Sequence, residues 1–259
     1  MSVVKRLFWD IETSPNIHYS WRAGNKVFLS HDSILQERVI ICIGYKWEHE
    51  RKTNCLVWDH WDDSNIIKEF TKIANEADEL VAHFGDRFDM RWFKGRNLIN
   101  RLPPLPDYKT VDTCKIASKH FYLNSNKLDY LAQILFGEGK IKTEFGLWKK
   151  ICKTNDKTSL DRMVRYCKKD VILLERVWKE LEKYDAPKTH AGVIDGLDRW
   201  TCPGCGSKEV ALNKTRTTSK GIIQKQMQCN DCHRYYSIAD SVFTRYLVAK
   251  NRENSNARA

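Results

Sequence analysis

Two carboxylates stand two residues apart near the N-terminus, in Asp10-Ile11-Glu12. They follow an apolar run at Val3–Trp9 that has the composition of a buried strand, and side chains two apart on a strand share one face. Two acids on one face repel each other unless a cation lies between them, and oxygen ligands suit Mg²⁺ or Mn²⁺. Such a pair can equally be an ordinary strand end before a turn, so it needs partners elsewhere in the chain.

Further acids occur where a cleft could form. Asp89 ends a segment, His83–Asp89, that follows one predicted strand and opens a predicted helix. Tyr166 and Asp170 lie four apart on a long predicted helix, hence on one face, beside its apolar stripe. Taken singly, each is an ordinary surface acid or half-buried tyrosine. Their order along the chain makes them a set.

That order, D-x-E, then F-D, then Y-x-x-x-D, resembles the three motifs of the DEDD exonuclease superfamily in its tyrosine subtype. The likeness is to the proofreading-type exonuclease domain of family B DNA polymerases and to stand-alone, phage-type relatives with a trailing zinc ribbon. It covers roughly residues 3–184 and includes Val111-Asp112-Thr113, Asn126–Asp129 and Tyr166–Asp170. The resemblance implies a ribonuclease H-like α/β fold, with a mixed sheet flanked by helices.

The same resemblance implies two-metal phosphodiester hydrolysis, in which two Mg²⁺ or Mn²⁺ ions clamp the attacking and leaving oxygens. Asp10 would bridge both ions, and Glu12, Asp89 and Asp170 would complete the metal ligands. Tyr166 would orient the attacking water by hydrogen bonding, because its ordinary pKa of about 10 makes it a poor base.

One position departs from the family pattern. The second motif usually carries asparagine four residues before the Phe-Asp pair, and this chain has Phe84 there. An aromatic side chain could replace the amide by stacking on a base, so Phe84 and the nearby Arg87 are candidate nucleic-acid contacts. Asp112 precedes Thr113 as a helix N-cap would, and we interpret it as structural.

Four of the nine cysteines form two C-x-x-C pairs, separated by 23 residues. Two such knuckles present four thiolates to one ion, which predicts a structural zinc site. The ligands would be Cys202, Cys205, Cys229 and Cys232.

The insert between the knuckles is basic and rich in threonine, as a β-hairpin would be. From residue 187 onward the chain has 12 Lys/Arg against 6 Asp/Glu. Positive charge beside tyrosines favours phosphate contact with base stacking, and the candidate residues are Lys214, Arg216, Arg234 and Tyr235. A ribbon that only stabilises the C-terminus or binds another protein is the alternative.

The elements that must position these residues follow from apolar periodicity. Strands are predicted at Val3–Trp9, Val39–Trp47, Asn54–Trp58 and Glu79–Ala82. Helices are predicted at Ile66–Ala74, Met90–Asn100, Thr113–Phe121, Leu128–Phe136 and, longest, from Leu160 to near Tyr184. We expect an exonuclease domain at 1–186, a linker at 187–199, a zinc ribbon at 200–240, and a short helix with a frayed polar tail at 241–259.

Composition limits the functional classes. The chain of 259 residues carries a formal net charge of +11, which suggests a polyanionic partner. No apolar segment has the length of a membrane span, and the N-terminus lacks a signal-peptide pattern. We therefore expect a cytoplasmic protein, in the host cytoplasm if its source is viral, and no membrane partner.

These observations predict a metal-dependent 3′→5′ exonuclease that acts on DNA, with single-stranded 3′ ends favoured and the ribbon aiding nucleic-acid binding. Replication or repair proteins are further expected partners. Two alternatives stay open: an RNA-processing or structure-dependent nuclease, and a catalytically silent protein that binds nucleic acid or replication proteins.

Overall fold

The computed structural model describes residues 4–24 and 26–256. The chain divides into two compact units, of which one is Lys5–Trp178 and the other consists mainly of the chain from Lys179 onward. Val3 of the predicted first strand and residues 257–259 of the predicted tail lie outside the described residues. Within those residues, no helix has the length and apolar character needed to cross a membrane.

The first unit alternates strands and helices. Its strands are β1 (Arg6–Thr13), β2 (Ile17–His18), β3 (Ile34–Gln36), β4 (Ile40–Trp47), β5 (Asn54–Val57), β6 (Glu79–Ala82) and β7 (Thr110–Asp112). Its helices are α1 (Ser64–Asn75), α2 (Asp89–Ile99), α3 (Thr113–His120), α4 (Leu128–Phe136), α5 (Phe145–Thr154) and α6 (Lys157–Leu181).

Five strands form a mixed sheet in the order β5-β4-β1-β6-β7. β4 pairs antiparallel with β1 and with β5, whereas β6 runs parallel to β1 and to β7. β1 is therefore the central strand, and burial on both faces explains why its sequence reads as one apolar run.

Helices cover both faces of the sheet. On one face Trp9 of β1 stacks on Phe70 of α1 at 4.9 Å between ring centroids, and Phe93 of α2 meets Phe70 edge-on at 5.1 Å. On the other face Phe8 contacts Trp178 of α6. Asp10 and Glu12 follow Phe8 by even steps, so they share the α6 face of β1. The predicted mixed sheet flanked by helices is confirmed.

The second unit contains a short helix α7 (Ala191–Ile194), three strands and a terminal helix. The strands are β8 (Val210–Thr217), β9 (Ile223–Cys229) and β10 (Tyr235–Ala239), and the helix is α8 (Asp240–Asn256). They form an antiparallel sheet in the order β10-β9-β8. The predicted basic hairpin is β8–β9. A small apolar cluster that includes Trp200, Met227 and Phe243 packs around it.

Several short elements differ from the sequence predictions. Periodicity did not predict β7, the small β2–β3 pair or helix α5. The segment predicted to be a linker, 187–199, contains α7, and Ala191 donates its backbone N–H to the Pro203 carbonyl at 2.9 Å. Gly192 lies so close to Thr201 that a Cβ would collide with its side chain. This segment packs on the first cysteine knuckle and is part of the ribbon.

Candidate functional site

Three carboxylates meet where β1 faces α6. The ligand atoms of Asp10, Glu12 and Asp170 all lie within 4.8 Å of one another. The approach of the helix depends on Gly44 of β4, which pairs with Asp10 across the sheet. A Cβ on Gly44 would stand 2.7 Å from Cys167 Sγ and 3.2 Å from a Val171 methyl group, so the glycine lets α6 pack closely enough to bring Asp170 to the strand.

The fourth predicted acid, Asp89, reaches the same region from the start of α2. It is 2 % exposed, and its Oδ1 accepts the Ile11 backbone N–H at 3.1 Å. The turn before it is tight, because a Cβ on Gly85 would lie 2.3 Å from the Ala82 Cβ. Asp89 thus sits beside β1, although it is outside the tight group formed by the other three acids.

Asp112 organises the loop that carries Phe84. Its carboxylate accepts the backbone N–H groups of Cys114 and Lys115 at the start of α3, which confirms the predicted cap. It also accepts the Phe84 N–H at 2.9 Å. Phe84 has a φ of +62°, a conformation that costs a residue with a side chain roughly 1–3 kcal/mol and persists only where the surrounding structure offsets that cost. The hydrogen bond to Asp112 contributes to holding it, and the Phe84 side chain, 44 % exposed, lines the cleft.

Burial and neighbouring negative charges disfavour ionisation of all four acids. Burial is the largest cause for each. Together with neighbouring charges it raises the pKa of Glu12 to about 8 and that of Asp89 to about 7. The pKa values of Asp10 and Asp170 are also raised. A divalent cation bound among these acids would favour their charged forms.

Lys140 lies in the site and was not predicted from the sequence. Its Nζ is 2.6 Å from Asp170 Oδ2 and 5.6 Å from the centre of the Tyr166 ring. Burial acts to lower the pKa of Lys140, but the charges of Asp170 and Asp10 outweigh burial and raise it. Lys140 belongs to an irregular loop after Gly137, a segment with no periodic signal.

The acids fit a divalent cation. Asp170 Oδ1 is buried and, among the described residues, no group donates a hydrogen bond to it. A buried carboxylate oxygen without a donor is costly, and a metal ion would satisfy it. Asp10, Glu12 and Asp170 would supply hard oxygen ligands of the kind that Mg²⁺ and Mn²⁺ prefer.

Tyr166, half-buried on α6, lies next to these acids. Its hydroxyl acts to lower the pKa of the Asp170 carboxyl, although burial outweighs this effect. Burial, followed by the charge of Asp170, raises the pKa of Tyr166, so the phenol stays neutral at physiological pH. A neutral phenol can hold a water molecule but cannot remove a proton from it efficiently.

The acids open onto a cleft of about 630 Å³. Asp10, Glu12 and Asp89 line this cleft. Its other walls include the aromatic and basic side chains of Phe84, Phe88, Phe145, Trp148, Arg38 and Lys140. His83 also lines it and hydrogen-bonds through Nδ1 to Thr113 Oγ1 at 2.8 Å. Burial lowers the pKa of His83 to about 4, which keeps the ring neutral. Phe145 and Trp148 could not be predicted, because helix α5 itself was missed.

The four predicted zinc ligands come together in the second unit. Their sulfur atoms lie within 4.8 Å of one another, with 3.5 Å between Cys202 and Cys232 and 3.6 Å between Cys205 and Cys229. Tetrahedral zinc with Zn–S bonds of about 2.3 Å separates its sulfurs by about 3.8 Å. The donor set and spacing therefore fit one Zn²⁺ ion.

Both knuckles have the same backbone shape. The residues that follow the second cysteine of each pair, Gly206 and His233, have φ of +76° and +59°. In the first knuckle Gly206 donates its N–H to the Cys202 carbonyl at 2.8 Å. The sequence therefore forms two turns that aim paired thiols at a common point.

The predicted nucleic-acid contacts differ in their exposure. Arg87 is exposed beside the cleft loop, and Lys214, Arg216 and Tyr235 are exposed on the ribbon strands. Arg234 is 5 % exposed, and it donates to the Asp185 carbonyl at 2.5 Å and to Glu182 Oε2 at 3.1 Å. Its guanidinium packs on Gly204, where a Cβ would lie 2.6 Å from Nε. Arg234 is thus a structural residue of the ribbon, and the predicted phosphate contact is not available to it.

Comparisons with known proteins agree with this fold. The family model described as RNase_H superfamily (RNase_H_2) matches residues 33–182, more than half of the chain. A solved family B DNA polymerase from the hyperthermophilic archaeon Pyrobaculum calidifontis is similar, with a TM-score of 0.55 and 15 % identity over 70 % of this chain and 25 % of the polymerase chain. The chain thus corresponds to about a quarter of that polymerase. No curated protein matches the sequence.

The comparisons confirm the ribonuclease H-like fold, and with it the exonuclease-type fold that the motif resemblance implied. The family match begins after β1 and therefore does not include Asp10 and Glu12. In the fold, β1 pairs with β4, and both acids lie close to Asp170 of α6, so they are neighbours of matched residues. On this match, the chain belongs to the RNase_H superfamily.

Proposed function

We propose that the chain is a metal-dependent 3′→5′ exonuclease that acts on DNA, with single-stranded 3′ ends as its favoured substrate. Membership of the RNase_H superfamily supports a nuclease that uses divalent metal ions. The observation that carries the proposal is the close group formed by Asp10, Glu12 and the buried Asp170, of which Asp10 and Glu12 line a cleft with aromatic and basic side chains.

The acids would hold two divalent cations, with Asp89 as the fourth ligand. Bound there, the cations would polarise the phosphate and stabilise the charge that develops on it. Tyr166, on the same helix as Asp170, would orient the attacking water by hydrogen bonding. Lys140 adds positive charge close to the acids and limits the negative charge that a phosphate meets.

The cleft wall favours an unpaired strand. The Phe84 and Phe145 side chains line the cleft and are 44 % and 60 % exposed. Aromatic faces stack on bases of any sequence, with roughly 1–3 kcal/mol for each stacked base. A stacked base must leave its duplex partner, so single-stranded ends fit this wall. On the ribbon, the exposed basic residues Lys214 and Arg216 would add phosphate contacts, and the exposed Tyr235 would add stacking.

A single panel of substrates tests the activity, its direction and its substrate. Single- and double-stranded DNA and RNA, each labelled at either end, are incubated with the full chain in Mg²⁺ or Mn²⁺. We expect mononucleotides from the 3′ end of single-stranded DNA. Preferential digestion of RNA, or internal cleavage, would favour the RNA-processing or structure-dependent alternative.

Variants of the acid site distinguish cleavage by this chain from cleavage by a contaminating nuclease. Asp10→Ala and Asp170→Ala should abolish cleavage, because each removes a metal ligand. Asp161→Asn is the matched control, since Asp161 is exposed on the same helix as Asp170. Undiminished cleavage by Asp170→Ala would reject the site. A wild-type chain that binds DNA but cleaves none of the substrates would support the silent nucleic-acid-binding alternative.

A further inference from the structure

Three thiols meet beside the carboxylates. Cys42 of β4, Cys55 of β5 and Cys167 of α6 have sulfur atoms that all lie within 4.8 Å of one another. Cys42 and Cys167 are fully buried, whereas Cys55 is half-buried on the edge strand of the sheet. The proposed hydrolysis uses none of these thiols. They therefore form a cluster of nucleophilic groups with no assigned role.

The cluster is joined directly to the active site. Cys167 Sγ donates to the Asp10 backbone carbonyl at 3.5 Å and lies 3.9 Å from Asp10 Oδ2. Cys167 is also next to Tyr166 and one turn before Asp170 on α6. A displacement of Cys167 would therefore disturb both the strand and the helix that carry the acids.

The strand register decides which thiols can bond. Cys42 pairs with Val57 and Gly44 pairs with Cys55, so Cys42 and Cys55 are diagonal neighbours. Diagonal neighbours are about 7–8 Å apart, beyond the usual Cα separation of a disulfide, roughly 4.4–6.8 Å. Cys167 Sγ instead lies over Gly44, directly opposite Cys55. The favoured pair is Cys55 with Cys167.

We infer that Cys55 and Cys167 are a modification site, at which a hydroperoxide oxidant forms a disulfide that inactivates the acid site. Disulfide formation is independent of the proposed function, whereas the effect on cleavage rests on it. The half-buried Cys55 meets the oxidant first. The neighbouring Cys167 and Cys42 thiols lower the pKa of Cys55, which favours the thiolate that reacts.

The chemistry takes two steps. The Cys55 thiolate attacks one oxygen of hydrogen peroxide; an S–O bond forms, the O–O bond breaks, and hydroxide leaves. Cys167 then attacks the Cys55 sulfur; the S–S bond forms, the S–O bond breaks, and the oxygen leaves as water with the Cys167 proton. Both sulfurs together lose two electrons, and one peroxide becomes two water molecules.

Oxidation would distort the site. A disulfide shortens the sulfur separation to about 2.05 Å, so Cys167 must move towards β5 and lose its contact with Asp10. A misplacement of about 1 Å can cost an enzyme roughly a hundredfold in rate. We expect at least about a tenfold loss of cleavage, which a dithiol reductant restores.

The experiment treats the full chain with hydrogen peroxide, blocks the remaining thiols, digests it without reduction and identifies cross-linked peptides by mass spectrometry. We expect a peptide pair that contains Cys55 and Cys167, together with reversible loss of cleavage. Cys55→Ser should keep its activity after the same treatment. Cys114→Ser, which changes a half-buried thiol outside the cluster, should respond like the wild type. Zinc content is measured in parallel, because peroxide can also oxidise the ribbon cysteines.

A bond between Cys42 and Cys167, sulfenic acid at Cys55 without a cross-link, or equal inactivation of Cys55→Ser would each overturn the inference. If Cys55→Ser does not fold, Cys55→Ala takes its place, and the peptide map of the wild type decides the pairing by itself. A chain that forms the cross-link but never cleaves nucleic acid would reject the proposed function and leave the modification site standing. A chain that cleaves nucleic acid but forms no cross-link would reject the modification site and leave the proposed function standing.

Discussion

Glu12 lies on the same face of β1 as Asp10, and burial with the charge of Asp170 raises its pKa to about 8. An ordinary glutamate has a pKa near 4.3, so the folded, metal-free protein keeps a proton that the unfolded chain loses. The free energy of unfolding that Glu12 contributes is therefore fully present at acidic pH and is lost as pH rises towards 8. As pH rises, Glu12 therefore releases its proton and becomes able to bind a divalent cation.

This linkage gives a prediction for Glu12→Gln. Urea denaturation is measured at pH 5.5 and pH 8.5 without Mg²⁺ and without a chelator, so that zinc is kept. The wild type should lose at least about 1.4 kcal/mol more than the variant over this range, which corresponds to one pKa unit. Mg²⁺ at pH 8.5 should restore the wild type and have less effect on the variant. Parallel losses in the two proteins would show that Glu12 does not hold the proton.

Tyr166 allows a second prediction at the same scale. Tyr166→Phe removes only the hydroxyl that we propose orients water, and misplacement of a reacting group can cost roughly a hundredfold in rate. Cleavage should fall by at least about a hundredfold, whereas Mn²⁺ binding measured by calorimetry should change little. Equal loss of both quantities would assign the hydroxyl to the metal site instead.

Among the secondary structure elements, α6 and the strands β4, β5 and β6 have regular apolar patterns and were predicted closely, and β1 was predicted but extends beyond Trp9 to Thr13. Helix α5, β7 and the Lys140 loop were not. β7 has three residues and depends on parallel pairing with β6, and the Lys140 position depends on a loop that folds over α6. Contacts between segments far apart in the chain leave no local pattern. The four acids were predictable because motif spacing marks them, whereas Lys140 has no such mark.

Gly44 tests the approach of α6 to the sheet. In Gly44→Ala the new methyl group would meet Cys167 Sγ at 2.7 Å and Val171 at 3.2 Å, so these side chains or the helix that carries them must shift. We expect a loss of about 1–3 kcal/mol in the free energy of unfolding and a larger drop in cleavage than in binding of single-stranded DNA. Cleavage should fall more than DNA binding because the shift displaces the acids, whereas helix α5, which supplies part of the cleft wall, does not contain Gly44.

Gly95→Ala is the matched control, since a methyl group there has no atom within 4 Å and Gly95 lies inside α2. It should raise stability by roughly 0.5–1 kcal/mol and leave cleavage unchanged. If both alanine variants behave alike, the close approach at Gly44 does not govern the site.

At the scale of the whole molecule, the chain combines two cores of different kinds. Residues 5–178 bury a large apolar cluster on both faces of a sheet, whereas the second unit has a small one around Trp200 and Met227. Small cores rarely hold a fold without a cross-link or a metal ion. The ribbon should therefore depend on zinc for its fold, whereas the first unit should not.

Cys202→Ser tests this dependence, because Cys202 is a fully buried member of the four-sulfur group. The wild type should contain about one Zn²⁺ ion per chain, and the variant should lose it. Hydrogen exchange should show lost protection in β8, β9 and β10, with protection of β1 and β4 kept, because binding of the ion is coupled to folding of the ribbon alone. Cys114→Ser, outside the group, should keep the ion. Zinc that persists at one ion per chain in Cys202→Ser would contradict the four-cysteine site, and loss of protection across both units would contradict their independence.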